Sequence, residues 1–555
     1  MSFKSQLEDL SRYRNSYFLA FSIAMGSVFF GYDIGLIGGV LSLDSFQRYF
    51  GLDKMDAGEK AALNGNIVAI LQVGCLFGAL GTGSFSSRYG RKPCLFASGA
   101  IYVVGSSLQV IVGLGTTRKT ALSLLYFGRF LGGIGVGMVT ALVPSYVSEC
   151  TPRAIRGRCT GVIQLANNIG IMLAFWVNYI VSEHIVSSEK QWRIPFAVQI
   201  VPGVLFLLLI PWQPESPRYM VEHQQYNRAA ETLAFLARTT PDDEVILATI
   251  EEIKTDFVGK VRLSVFQQIM RMKESRGIAL RCFIPSLVMF FQQWTGTNAI
   301  NYFSPQIFAS LGINGTTADL LATGIYGVVK VISVFLVLAF AVEGIGRKKC
   351  LIIGGLGQSA MMLWIGGYSG VHASPSPDPP PLHYVSIIAI YLFAAFYSIG
   401  WGPIPWVVAG EVAPNHLRTA VMSMAISIGW LFSLTISKLT PLMLNTLEHW
   451  TFLLFGFCCF VMSFWAWLCL PETAGLQLED IGPLFEYDVI LRALQDAPGG
   501  SIFIGSKRAR PVGKVASVTT IRVEDLQEAT QRETETDEPG AKHIVKKPAG
   551  DVCSS

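Results

Sequence analysis

Charge is what this chain has least of. Only 15% of its 555 residues are Asp, Glu, Lys or Arg, while 51% are hydrophobic and the mean hydropathy is +0.44. A water-soluble protein of this length covers its surface with far more charge, so lipid is the better solvent for much of the chain. The net charge of +4 is small, and no basic surface of the kind that binds nucleic acid is visible. The seven histidines are dispersed, and the ten cysteines are scattered, several of them in apolar runs (Cys75, Cys282, Cys458, Cys459). No spacing matches a zinc site or a disulfide framework. Nucleophile motifs and phosphate-cradling loops are missing as well. These absences exclude an enzyme as the first reading, and no catalytic residue, metal or cofactor is expected. Residues 1–15 are polar and lack the basic, apolar and cleavage regions of a signal peptide. The first apolar run is too long for one and reads as a permanent span.

What the chain does have is long apolar runs. Crossing roughly 30 Å of hydrocarbon takes about 20 apolar residues in a helix. By that measure the sequence predicts twelve spans, at 16–42, 63–86, 93–113, 121–148, 157–180, 193–212, 282–310, 318–341, 349–371, 383–411, 419–444 and 449–470. The expected organisation is a short N-terminus (1–15), a six-helix bundle (16–212), a polar linker with short helices (213–281), a second six-helix bundle (282–470) and a largely disordered tail (471–555). In the linker, Thr240 followed by Pro241, Asp242 and Asp243 reads as a helix start, with Ile246, Ile250, Ile253 and Phe257 on one face. A second start is read at Ser264, with Gln267 at the capping-box spacing. Tail composition turns polar from about Tyr487.

Orientation follows from Lys and Arg in the short loops. Arg88, Arg91 and Lys92 follow span 2, Arg153, Arg156 and Arg158 follow span 4, and Arg347, Lys348 and Lys349 follow span 8. The positive-inside rule then puts both termini and the linker in the cytoplasm. An Asn-Gly-Thr triplet at Asn314 falls in an outside loop, which agrees. The halves also repeat each other. Arg88-Tyr89-Gly90-Arg91-Lys92 answers Gly344-Ile345-Gly346-Arg347-Lys348, and Glu149 with Pro152 and Arg156 answers Glu411 with Pro414 and Arg418, always six spans apart. Arg88, Arg91, Glu149, Arg156, Glu343, Arg347, Glu411 and Arg418 are candidates for gating contacts at the inner face, and two similar halves around a midplane site is transporter architecture.

Charges inside a span are costly and need a reason. Asp33 sits in GYDIGLIGG (Gly31 to Gly39) and Arg129 in GRFLGGIGVG (Gly128 to Gly137). The two could form a pair that protonation loosens, or a static pair holding helices together; both readings stand. Gly31, Gly35, Gly38 and Gly39 let helices approach closely. Span 7 contains Gln292, Gln293, Asn298 and Asn301 close to Gly296 and Pro305. Amides both donate and accept, which suits a hydroxyl-rich solute, although helix–helix bonding is the plainer use. Gln164 in span 5 is a further candidate. Span 10 carries Trp401, Gly402, Pro403, Pro405 and Trp406, so it is expected to bend, and either indole could stack on a ring. Lys330 lies inside span 8 and needs a substrate carboxylate, a structural partner or a route to the interface.

Taken together, GYDIGLIGG, GRFLGGIGVG, SECTPRAIRG (from Ser148), PESPR (from Pro214), QQWTGTN (from Gln292), WGPIPW (from Trp401) and PETAG (from Pro471) resemble the sugar porter family of the major facilitator superfamily over residues 17 to 482. The resemblance implies an all-α polytopic membrane protein with the major facilitator fold, twelve transmembrane helices in two six-helix halves, working by alternating access. It places Gln164, Gln292, Gln293, Asn298 and Trp406 at the substrate site, and it implies Asp33 as proton acceptor with Arg129 as its partner. The strings QQWTGTNAINYFSPQIF and GIYGVVKV are most similar to fungal members grouped with quinate permeases, and a ring acid would suit Lys330. Four positions depart from the family pattern: Ser87 replaces an aspartate, Gly429 an Asn or Gln, Ser398 a frequent acid, and Ala474 a lysine. The expectation is a plasma-membrane proton symporter for a sugar, polyol or quinate-type acid. Its partners are then the solute, a proton, the bilayer and regulatory factors reached through the tail. A nutrient sensor that binds solute without moving it is the alternative.

Overall fold

Apolar sequence in lipid must satisfy its own backbone polar groups, and a helix pairs every N–H and C=O within its own segment. The computed structural model describes residues 12–113, 118–152, 155–185, 188–257, 270–311, 315–340, 345–371, 381–414, 417–474, 481–485 and 489–496, and every element in them is helical. All lie in one compact unit, residues 1–509.

The first half comprises α1 (Arg14–Ser42), the short α2 (Asp44–Phe50), α3 (Ala57–Tyr89), α4 (Arg91–Val110), α5 (Arg118–Cys150), α6 (Arg156–His184), and α7 and α8 (Lys190–Val198 and Ile200–Leu209), which share the sixth passage. Three linker helices follow: α9 (Pro217–Glu222), α10 (Tyr226–Ala237) and α11 (Glu244–Phe257). The second half runs through α12 (Arg276–Gln293), α13 (Thr297–Ser310), α14 (Thr316–Phe340), α15 (Arg347–Val371), α16 (Pro381–Ile399), α17 (Ile404–Val412), α18 (Arg418–Thr446) and α19 (Trp450–Cys469). The short α20 (Val489–Asp496) closes the described chain.

Eleven helices among the described residues are long and apolar enough to cross a membrane. The remaining passage is the seventh, read from sequence as continuous over 282–310. It is broken: α12 stops at Gln293, Gly296 turns left-handed (φ +83°), and α13 restarts at Thr297. Only glycine takes that conformation without strain, so the Gly of QQWTGTN sets the break. The tenth passage is likewise split between α16 and α17, as the Gly402-Pro403-Ile404-Pro405 string predicts.

Small residues bring the helices together. A Cβ on Gly31 of α1 would fall 1.9 Å from the Asn167 carbonyl of α6, and one on Gly170 of α6 would fall 2.1 Å from the Val28 carbonyl of α1. The two backbones therefore touch, as expected of the glycines in GYDIGLIGG. The halves meet along α3 with α18, α6 with α14, and α1 with α13.

Two local expectations need correction. The linker helix does not start at Thr240. Residues 240–243 form a turn, and α11 begins at Glu244 with the Asp243 carboxylate accepting from the Val245 N–H at 2.9 Å. Its apolar face is as read: Ile246, Ile250 and Ile253 pack on Val221, Ala229 and Ala230. Within the tail, residues 489–496 are helical, and Ala493 is buried against the second half. The starts at Ser264 and Gln267, the Asn314 triplet and Glu343 lie outside the described residues.

Candidate functional site

Asp33 on α1 and Arg129 on α5 are both fully buried and meet at 3.4 Å, Nη1 to Oδ1. Arg129 Nε also donates to the Ile67 carbonyl of α3 at 2.8 Å. The pair is incompletely satisfied: Asp33 Oδ2 and Arg129 Nη2 have no hydrogen-bond partner among the described residues. A static structural pair is stable only when its remaining donors and acceptors are met. Here one carboxylate oxygen and one guanidinium nitrogen are left unpartnered where α1 meets α5.

The amides of span 7 fall into two roles. The Gln292 side chain donates to the carbonyls of Trp401 (2.9 Å) and Gly402 (3.0 Å). Trp401 has no helical donor four residues on, because that residue is Pro405, and Gln292 supplies one. Gln293 and Asn298 instead face each other across the break, with Asn298 Nδ2 donating to Gln293 Oε1 at 2.7 Å and to Ser433 Oγ at 3.2 Å. A side chain at Gly429 would begin 3.8 Å from Gln293 Nε2 and from Met289 Cβ, so its absence leaves room beside this amide. Trp406 is half-buried against Met289, Ala409 and Ala425, the same wall, and also reaches the first-half cluster that includes Trp430. Gln164 is half-buried on α6, one turn before Asn168. Trp401, the other stacking candidate, is fully buried with its indole N–H on the Leu351 carbonyl at 3.0 Å, so it serves packing. Ser398 spends its hydroxyl on the Ala394 carbonyl of its own helix.

Lys330 on α14 is 3% exposed. Its ammonium donates to Asn301 Oδ1 at 3.1 Å and stands 5.4 Å from the Tyr397 ring centre and 5.9 Å from that of Tyr326. Asn301 lies one turn beyond Asn298 on α13, which ties the lysine to the amide cluster. No carboxylate of the described residues reaches it.

At the ends of the halves two near-identical cages face each other in sequence. In the first half Arg91 Nε and Nη2 grip Glu149 at 3.2 and 3.3 Å, and the Ser216 hydroxyl donates to the same carboxylate. Glu215 accepts from the backbone N–H groups of Arg91 (2.9 Å), Lys92 and Ser216 (2.8 Å), capping α4. Burial pushes the Glu215 carboxyl above its ordinary range, opposed by those three N–H groups. In the second half Arg347 reaches Glu411 at 3.1 Å, the Thr473 hydroxyl donates to Glu411 at 2.7 Å, and Glu472 accepts from the N–H groups of Arg347 (2.8 Å) and Lys348 (3.2 Å). The inner-face candidates Arg91, Glu149, Arg347 and Glu411 are thus paired. Arg88 is exposed with its guanidinium over Tyr89, and Arg156 is exposed at the start of α6. Arg418 begins α18. Sequence reasoning used PESPR and PETAG as family marks but missed that Glu215–Ser216 and Glu472–Thr473 complete the cages; the repeated Pro-Glu-Ser/Thr was the available signal. It also missed Ser433, which carried none.

Two helical halves, interrupted passages seven and ten, a buried ion pair and an amide cluster define a polytopic membrane transporter and not an enzyme. The chain belongs to the sugar (and other) transporter family, whose model matches residues 19–485, and is a sugar porter of the major facilitator superfamily. It is 33% identical over 484 residues to a probable quinate permease of Aspergillus niger, covering 86% of this chain and 89% of that one. It is 34% identical over 479 residues to the quinate permease of Emericella nidulans, covering 85% and 88%. Among solved structures it resembles the E. coli xylose transporter XylE in a partially occluded inward open conformation, with TM-score 0.71, 25% identity, and coverage of 84% of this chain and 100% of that one. The XylE proton:xylose symporter bound to 6-bromo-6-deoxy-D-glucose gives TM-score 0.71 at 26% identity over 86% and 100%.

Proposed function

We propose that this protein carries a small polyhydroxylated solute, a sugar, polyol or quinate-type acid, across the plasma membrane together with a proton. The observation that carries the coupling is the buried Asp33–Arg129 pair with one oxygen and one nitrogen unpartnered. A buried ion pair responds strongly to loss of one charge, so protonation of Asp33 frees Arg129 and lets the first half rearrange. Solute binds in the other half, between Gln293, Asn298 and Trp406, with Gln164 contributing from across the seam. Gln292 acts at one remove by holding the bend of the tenth passage. Lys330 receives the carboxylate of an acidic solute. The cages around Glu149 and Glu411, with Arg91, Arg156, Arg347 and Arg418 at the cytoplasmic ends, release and re-form as access alternates, and both termini are cytoplasmic. The names of the relatives, quinate permeases and a proton:xylose symporter, support this reading.

The test is uptake of labelled quinate and labelled D-glucose by transporter-deficient cells expressing the chain, with and without a protonophore. Protonophore-sensitive accumulation of either is expected. No uptake of either solute, by protein shown to reach the cell surface, overturns transport and favours a sensor.

A further inference from the structure

The proton-binding pair belongs to one half and the solute amides to the other, so a symporter built this way needs a physical link between them. We infer that Gln72 on α3 is the positioning residue that provides it, a role that rests on the symport reading above.

Three successive carbonyls of α3 carry the argument. Arg129 Nε holds the first, that of Ile67, at 2.8 Å. The fully buried Gln72 amide, in the orientation that satisfies both its ends, donates to the next two, Val68 at 2.9 Å and Ala69 at 3.2 Å. Its oxygen then accepts from the hydroxyls of Tyr302 on α13 and Ser437 on α18, each at 3.0 Å. One side chain of the first half thus clasps both second-half helices that border the amide cluster. An amide at this depth is costly to leave unsatisfied, so the clasp opens as a unit.

The seam around the clasp is closed by direct backbone contact. A Cβ on Gly38, five residues beyond Asp33, would lie 2.4 Å from the Tyr302 carbonyl, and one on Gly65 would lie 2.8 Å from that of Lys438. Tyr302 also sits in the field of both Asp33 and Arg129. The other titratable groups around the pair are Tyr32 on α1, Cys75 on α3 and Tyr102 on α4. When Asp33 takes a proton, Arg129 is no longer held from α1 but keeps its grip on Ile67. The turn of α3 that orients Gln72 shifts with it, and the bonds to Tyr302 and Ser437 give way. Proton binding in one half is thereby reported to the seam of the other.

The test uses the full chain in proteoliposomes, with quinate and D-glucose as probes, comparing wild type, Gln72→Leu, Tyr302→Phe and the double variant. Two activities are read: accumulation driven by a pH gradient, and solute exchange at equal pH inside and out, the latter across a pH series. With the clasp removed, the seam opens whatever the state of Asp33. Accumulation should fall at least tenfold more than exchange, and the pH profile of exchange should flatten. The double variant should match Gln72→Leu, since Tyr302→Phe removes only a bond that Gln72→Leu already removes. Parallel loss of accumulation and exchange, or an unchanged pH profile, overturns the inference and leaves symport standing. Wild-type accumulation that ignores the pH gradient overturns the symport reading, and this inference with it.

Discussion

Lys330 Nζ lies 3.1 Å from Asn301 Oδ1, between the rings of Tyr397 and Tyr326, and no carboxylate of the described residues shares its charge. A cation kept at that depth without an anion is expensive, and the cost is recovered when the ligand brings the anion. The tyrosine faces and the amide oxygen hold the ammonium in place meanwhile. A charge-assisted hydrogen bond is worth about 1.5–3 kcal/mol, roughly 10- to 150-fold in binding. Lys330→Met should therefore weaken quinate transport at least tenfold while changing that of a neutral sugar or polyol less than threefold. Competition of unlabelled acids and neutral analogues against labelled solute measures this. Equal losses for both classes would return Lys330 to a structural role.

The Asp33–Arg129 geometry sets a second expectation. Asp33→Asn keeps the shape of the side chain but cannot bind and release a proton at neutral pH. Protonophore-sensitive accumulation should vanish, while exchange of solute across the membrane persists at a measurable fraction of wild type. The variant leaves Arg129 buried without its counter-charge, so folding stability should drop by about 3–5 kcal/mol. Surface labelling of the expressed protein separates that loss from loss of coupling. Accumulation equal to wild type would remove Asp33 from the coupling role.

Much of this arrangement is legible in the sequence because lipid imposes a strict rule: apolar runs become helices, and the rare charge within one has a purpose. Asp33, Arg129 and Lys330 stand out for that reason alone. Long-range partners do not. Nothing near Gln72 in sequence announces that its amide will reach Tyr302 and Ser437, the latter 365 residues away. Trp401 and Trp406 are five residues apart and look equivalent, yet the bend between α16 and α17 buries one indole on Leu351 and leaves the other facing Met289. Gly296 does not announce the break in passage seven, because a glycine in an apolar run equally marks helix contact, as at Gly31. Only tertiary context separates the two uses.

Gly429 offers a test of solute size. A Cβ there would meet Gln293 Nε2 and Met289 Cβ at 3.8 Å, ordinary van der Waals contact, so adding one strains neither the backbone nor the packing. Gly429→Asn restores the amide that the family pattern places at this position and fills the space beside Gln293. Uptake of D-glucose should rise relative to quinate by several-fold, since the new amide adds a hydroxyl partner while narrowing the site. Side-by-side initial rates for the two solutes check it. A ratio equal to wild type would mean that Gly429 does not border the bound solute.

The two cages provide the last expectation, which concerns stability. Gly346 has φ +92°, and a Cβ on it would lie 2.5 Å from Glu472 Oε2. Gly90 has φ +98°, with the same atom 2.4 Å from Glu215 Oε2. In each case a left-handed glycine lets a carboxylate sit directly on the N–H groups that open the next span. A side chain there strains the backbone by about 1–3 kcal/mol and also pushes the acid off its donors. Gly346→Ala should lower the thermal midpoint of the purified protein, and so should Glu472→Ala, which strips the cap from Arg347 and Lys348. Because both changes damage one contact, the double variant should lose less than the sum of the two, by at least about 0.5 kcal/mol. Gly90→Ala and Glu215→Ala should repeat the pattern in the other half. Strict additivity in both halves would mean that glycine and carboxylate act independently, and that the repeated turn is not the unit that fixes the start of each span.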